Sequence, residues 1–200
     1  MEQHIQKFMK NTGAKKIACL LMNPNTGGIV AMGSNSVYDL NDPRNLSVAY
    51  TQEEISAMSE EEQLKALNEL WRNYCISDSY EPGSTFKPIT VAACLDEGKA
   101  SRKSTYVCDG GQQVADRYIK CVANRYGGHG ALSLGQALMV SCNDVMMQIS
   151  AKLGKEKFLD YMDAFGIGRK TGIDLPGEAT GTVFNNDTMH STQLATSSFG

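Results

Sequence analysis

Two hundred residues with 42% hydrophobic and 20% charged side chains suit one globular domain with a sizeable core. A formal net charge of −3, with no Lys/Arg cluster interleaved with aromatics, argues against a nucleic-acid partner. The longest clean apolar run, from Ile17 to Met22, is far too short to cross a bilayer, and no signal peptide precedes it.

In chain order, residues 2–10 read as the end of an amphipathic helix. Residues 16–23 and 28–33 are strand candidates around Asn23-Pro24-Asn25-Thr26-Gly27, a tight turn, so the pair predicts a β-hairpin. A polar loop follows to Tyr50. Ser59-Glu60-Glu61-Glu62 is a capping box that opens a helix to about Trp71.

The next feature carries chemistry. In Tyr80-Glu81-Pro82-Gly83-Ser84-Thr85-Phe86-Lys87-Pro88, a chain-turning Glu-Pro-Gly precedes Ser84, and the apolar stretch 88–95 predicts a helix that stops at Glu97-Gly98. With a helix beginning at Ser84, Lys87 lies on the same face one turn later. The serine is then a hydroxyl with its own base, which a serine needs before it can act as a nucleophile. Backbone N–H groups at the helix start favour an oxyanion at the carbon under attack.

Residues 103–121 predict two short strands around Asp109-Gly110-Gly111, and Gly127-Gly128-His129-Gly130 a flexible loop. Ser133 caps a helix of about residues 134–140, and a further helix runs from the break at Ser141-Cys142-Asn143 to Leu153 and Gly154. Residues 155–165 are expected to be the last helix, with 168–200 rich in turns. Ser141 lies 57 positions after Ser84 (141 − 84). There a second hydroxyl could relay a proton between Lys87, Ser84 and a leaving amine, while the Asn143 amide holds a peptide carbonyl. Taken alone, the tripeptide reads as a helix cap with Asn143 in the first turn.

The six cysteines are Cys19, Cys75, Cys94, Cys108, Cys121 and Cys142. No C-x-x-C and only three histidines argue against a zinc site, so no metal and no cofactor is expected. Cys19 and Cys94 fit small buried hydrophobes. Cys108 and Cys121 flank the Gly-Gly segment, and an extracytoplasmic domain is expected to pair them as a disulfide worth about 3 kcal/mol.

Ser84-Thr85-Phe86-Lys87 and Ser141-Cys142-Asn143 match S-x-x-K and S-x-N, two signatures of penicillin-recognising enzymes. Further blocks extend the match: Asn23-Pro24-Asn25-Thr26-Gly27 with Ile29-Val30-Ala31-Met32; Tyr38-Asp39-Leu40-Asn41-Asp42-Pro43-Arg44; Trp71-Arg72-Asn73; His129-Gly130; and Thr171-Gly172-Ile173-Asp174-Leu175-Pro176-Gly177-Glu178. On these the chain resembles the transpeptidase domain of class B penicillin-binding proteins, in the style of Gram-positive division or sporulation enzymes. The cysteine pair leans toward the sporulation type.

The resemblance implies an α+β (α/β sandwich) fold, a helical subdomain plus an antiparallel sheet. It implies a peptidoglycan D,D-transpeptidase in which Ser84 is the nucleophile, Lys87 the base, Ser141 the proton relay and Asn143 the substrate-positioning amide. The implied partners are a stem peptide ending in D-Ala-D-Ala, β-lactam antibiotics and a divisome or sporulation glycosyltransferase, at the extracytoplasmic face of the cell membrane. The family's third signature is K-T-G or K-S-G on a strand. Lys170-Thr171-Gly172 has those letters but lies 27 positions past Asn143 (170 − 143), before a loop-like Asp174-Leu175-Pro176-Gly177, and is read as coincidence. Residues 1–200 are therefore expected to be a partial transpeptidase domain, lacking the last strands and the true third motif, and inactive or nearly so in isolation. Weaker alternatives are a D-Ala-D-Ala carboxypeptidase, a β-lactamase-like serine enzyme, or an inactive β-lactam-binding fragment. No E-x-x-x-N pattern stands where it would activate a water for the second of these.

Overall fold

A computed structural model describes residues Met1–Gly200. The chain forms two compact units: Met1–Asp78 with Gly172–Ala179, and Ser79–Thr171 with Thr180–Gly200.

In the first unit, helix α1 (Glu2–Thr12) ends at Gly13, whose φ of 67° is the left-handed cap a glycine accepts without strain. Strands β1 (Ala18–Met22) and β2 (Ile29–Ser34) pair antiparallel, with Leu20 opposite Met32. The expected turn closes them. The Asn23 side chain accepts from the Asn25 N–H at 2.9 Å, and the Gly27 N–H donates to the Asn23 carbonyl at 2.8 Å. Helix α2 (Gln52–Ala57) lies in a stretch not expected to be helical, yet it starts by the same rule as its successor. Thr51 and Glu54 form one capping box; Ser59 and Glu62 form the next, at the head of α3 (Glu60–Trp71). The α3 residues Ala66, Leu67 and Leu70 bury against Leu46 as this unit's small core. The short α4 (Tyr74–Ser77) completes the residues before the second unit.

In the second unit, the expected helix at Ser84 begins instead as a 3₁₀ turn, Gly83–Phe86, that runs into α5 (Lys87–Asp96). Pro88 has no N–H to give the Ser84 carbonyl, so the Lys87 N–H bonds it three residues back. Between residues 103 and 133 the structure corrects the sequence reading. There are four strands: β3 (Thr105–Cys108), β4 (Gly111–Val114), β5 (Arg117–Lys120) and β6 (Gly130–Ser133). The hairpin joins β4 and β5 about Ala115-Asp116, with Val114 opposite Arg117. Strand β3 pairs with β6, Cys108 opposite Gly130, so Asp109-Gly110-Gly111 is a crossing between two sheets and not a hairpin turn. Gly111 is obligatory at that crossing, because a Cβ there would stand 2.4 Å from the Ile119 carbonyl oxygen.

Helix α6 (Leu134–Met139) carries the expected capping box of Ser133 and Gln136. Helix α7 (Asn143–Leu153) is the centre of the second core. Its Val145, Met146 and Ile149 are fully buried among Cys94, Ala137, Phe158 and Met189. Each such side chain contributes about 1.5–3 kcal/mol through burial. Helix α8 (Lys155–Ala164) supplies Phe158, whose ring meets that of Phe86 at 6.0 Å. It is not the last helix: α9 (Ser191–Ser197) follows, buries Leu194 and Ala195, and leads to Ser198, whose carbonyl accepts from Thr90 Oγ1 at 2.8 Å. Phe86 and Thr90 thus pin both sides of Lys87 to the core.

Candidate active site

Pinning α5 in this way buries Lys87 almost completely, at 1% exposure, while Ser84 on the preceding 3₁₀ turn stays exposed. The Lys87 ammonium stands 3.1 Å from Ser84 Oγ and 2.7 Å from each of the Ser141 carbonyl, Ser141 Oγ and Asn143 Oδ1. Ser141 Oγ lies 2.9 Å from Ser84 Oγ. The second unit therefore brings together all four residues singled out in the sequence.

Chain direction explains how Ser141 comes to face Lys87. It is not the cap of α7. Cys142 is, its sulfur accepting from the Val145 N–H at 3.5 Å. That leaves the Ser141 hydroxyl free to turn to Lys87, with the backbone at φ 55°, a left-handed conformation unusual for serine. Strain of this kind, about 1–2 kcal/mol, is typical of functional positions.

The network sets the state of the amine. Burial disfavours the Lys87 ammonium and holds its pKa below the ordinary lysine value, outweighing the opposing influence of the nearby Cys121 and Cys142 sulfurs. An amine carries at most three N–H donors, and four oxygens crowd this one. The Ser141 carbonyl and Asn143 Oδ1 can only accept. A neutral Lys87 gives those two its N–H groups and turns its lone pair to the hydroxyls of Ser84 and Ser141. This is the geometry for removing a proton from either hydroxyl.

Lys170-Thr171-Gly172 lies on exposed chain outside any strand, as the sequence suggested. In the structure Cys108 and Cys121, expected as a disulfide in an extracytoplasmic domain, are free thiols, as are the other four cysteines. The two sulfurs share close neighbours. Cys108 Sγ lies 3.4 Å and Cys121 Sγ 3.7 Å from His129 Nδ1, and Cys121 Sγ lies 3.9 Å from Cys142 Sγ, so no two sulfurs pair exclusively. Sequence reasoning placed neither His129 nor Cys142 with this pair. The only signal was three cysteines and a histidine within 35 residues (142 − 108 + 1). Asp144 was also missed. It is fully buried beside Asn143, and one oxygen accepts from Gln112 at 2.6 Å and from Gln148 at 2.8 Å.

The family model of the penicillin binding protein transpeptidase domain matches residues 17–200. The chain belongs to the penicillin-binding protein transpeptidase family. Stage V sporulation protein D of Bacillus subtilis is 36% identical over all of this chain, which covers 28% of that protein. The peptidoglycan D,D-transpeptidase MrdA of Escherichia coli is 26% identical over 92% of the chain and 27% of its own length. The chain thus spans about a quarter of the curated relatives it matches. Among solved structures, Pseudomonas aeruginosa PBP2 in complex with WCK 5153 superposes with a TM-score of 0.74 at 24% identity, over 100% of this chain and 44% of that one. That likeness establishes the α+β transpeptidase fold. No helix of this transpeptidase domain is long and apolar enough to cross a membrane.

Proposed function

We propose that this domain is the catalytic part of a peptidoglycan D,D-transpeptidase and that Ser84 is its nucleophile. The observation that carries the reading is the Lys87 amine, buried and within hydrogen-bond reach of both Ser84 Oγ and Ser141 Oγ. In the first half-reaction Ser84 Oγ bonds to the penultimate D-alanine carbonyl carbon, and its proton passes to Lys87. The C–N bond to the terminal D-alanine then breaks, and the proton travels through the Ser141 hydroxyl to the departing amine. In the second half, the amine of a neighbouring stem peptide attacks the ester, gives its proton back along the same path and frees Ser84. Asn143 keeps the donor peptide in line through its amide. β-Lactams present a strained amide to the same serine and form an ester that persists. Two half-reactions through one acyl-enzyme are the general logic of nucleophilic catalysis.

Names of the relatives support placing this activity in cell-wall synthesis, and the 36% identity to a sporulation protein supports a sporulation role. Action at the extracytoplasmic face of the membrane, alongside a glycosyltransferase that supplies the glycan strand, fits that role. The test is to give the full-length protein a peptide ending in D-Ala-D-Ala together with a labelled D-amino acid. Release of D-alanine with incorporation of the label is expected; release with hydrolysis alone would make the protein a carboxypeptidase.

The role of Ser141 can be separated from its backbone strain. Ser141→Ala and Ser141→Gly are both expected to slow β-lactam acylation by about 100-fold, because both lose the relay. In denaturant unfolding, the glycine variant should be about 1 kcal/mol the more stable of the two, since only alanine keeps the side-chain clash at φ 55°.

A further inference from the structure

We propose that Cys108, Cys121, His129 and Cys142 bind one zinc ion, and that this ion fixes the segment carrying Ser141 and Asn143. Their four ligand atoms all lie within 4.8 Å of one another, and the three cysteines are buried. Zinc–sulfur bonds of about 2.3 Å and zinc–nitrogen bonds of about 2.05 Å, set tetrahedrally, separate ligand atoms by about 3.5–3.8 Å. Three of the six separations in the structure are 3.4, 3.7 and 3.9 Å, and the other three are no longer than 4.8 Å. A Cys₃His set is a closed structural zinc site: it leaves no open position for substrate or water.

The chain is built to bring these atoms together. Cys108 ends β3 at its pairing with β6. The Cys121 N–H donates to the Gly110 carbonyl at 2.8 Å, and the Gly128 N–H to the Ala123 carbonyl at 3.1 Å, folding the 121–129 stretch back on the end of β3. Gly128 permits the closest approach, since a Cβ there would stand 2.2 Å from the Cys108 carbonyl oxygen. A zinc ion here departs from the expectation that the cysteine and histidine spacing argued against one. That expectation considered ligands paired along the sequence, whereas here each comes from a different turn of chain.

The consequence reaches the active site through covalent bonds. Cys142 is the middle residue of Ser141-Cys142-Asn143 and the cap of α7, so an ion on its sulfur tethers both neighbours to the β3–β6 sheet. The ion positions these residues and takes no part in the chemistry. Zinc-bound thiolates are also protected from pairing, which keeps Cys108 and Cys121 from forming the disulfide an oxidising compartment would favour.

The test is elemental analysis of purified full-length protein after gel filtration in metal-free buffer, repeated for variants. One zinc per chain is expected in the parent protein and in Cys19→Ser and Cys75→Ser, and none in Cys121→Ser or His129→Ala. Gly128→Ala is expected to bind zinc more weakly. Removing the ion with a chelator should lower the thermal unfolding midpoint by about 10 °C. Should a ligand variant not fold, the cobalt-loaded parent decides: thiolate-to-cobalt charge-transfer and tetrahedral ligand-field bands are expected, and their absence overturns the proposal. So would a Cys108–Cys121 disulfide in the isolated protein, or zinc retained unchanged in both ligand variants. The metal count stands apart from the proposed transpeptidase reaction, because it is read whether or not Ser84 becomes acylated.

Discussion

Ser84→Ala is expected to abolish covalent labelling of the full-length protein by a fluorescent penicillin while leaving the fold intact. The side chain is exposed on the 3₁₀ turn and anchors nothing in the core, so its removal forms no cavity. What is lost is the oxygen proposed to form the ester, and Ser141 Oγ, 2.9 Å from it, is less exposed and sits on strained backbone. The measurement is gel fluorescence beside a thermal unfolding curve. Persistent labelling with an unchanged midpoint would reject Ser84 as nucleophile.

Lys87→Met should be nearly as severe, slowing acylation by about 10³-fold or more. Methionine fills a similar volume, but no lone pair then faces Ser84, and the Ser141 carbonyl and Asn143 Oδ1 lose a donor. Each acceptor left unpaired costs about 1–3 kcal/mol, partly offset because a desolvated amine is no longer buried. Stopped-flow acylation and denaturant unfolding separate the two effects.

The same lysine sets a pH dependence. Burial holds its folded-state pKa below the ordinary 10.5, so the reactive neutral amine appears at lower pH than in a free lysine. Acylation is expected to rise as pH climbs through the folded-state value and then level off; Lys87→Met should show no such rise. For stability, the unfolded chain holds this proton up to about pH 10.5 and the folded chain releases it earlier. Between the two values the unfolded state binds more protons. Stability from this group therefore grows with pH across that window, and the penalty is full below the folded-state pKa.

Much of the site was legible because its logic is local. Ser84 and Lys87 are one helical turn apart, the Glu-Pro-Gly turn before them is written in the sequence, and Ser141 sits at a break between two capped helices. The first hairpin was legible for the same reason, with a five-residue turn between two apolar runs. Thr51-x-x-Glu54 follows the same capping rule as Ser59-x-x-Glu62, so α2 too lay within reach.

What stayed hidden was set by distant partners. Strand β6 is four residues led by a glycine, and it exists because β3 pairs with it. The β4–β5 turn falls at Ala115, a residue with φ 52° that no turn propensity favours, while the glycines that looked like a hairpin serve a crossing. Helix α9 is seven residues rich in serine and threonine, formed because Leu194 and Ala195 bury against the second core. The sulfur–imidazole cluster depends on two of these, the β3–β6 pairing and the crossing at Gly110, and so a disulfide was the natural reading of Cys108 and Cys121.

The most direct measurement of the account is peptide mapping by mass spectrometry after a penicillin has reacted with the full-length protein. The account predicts a single adduct, with the mass of the opened β-lactam, on the peptide containing Ser84. An adduct on Ser141 or elsewhere, or none in folded protein, would contradict it.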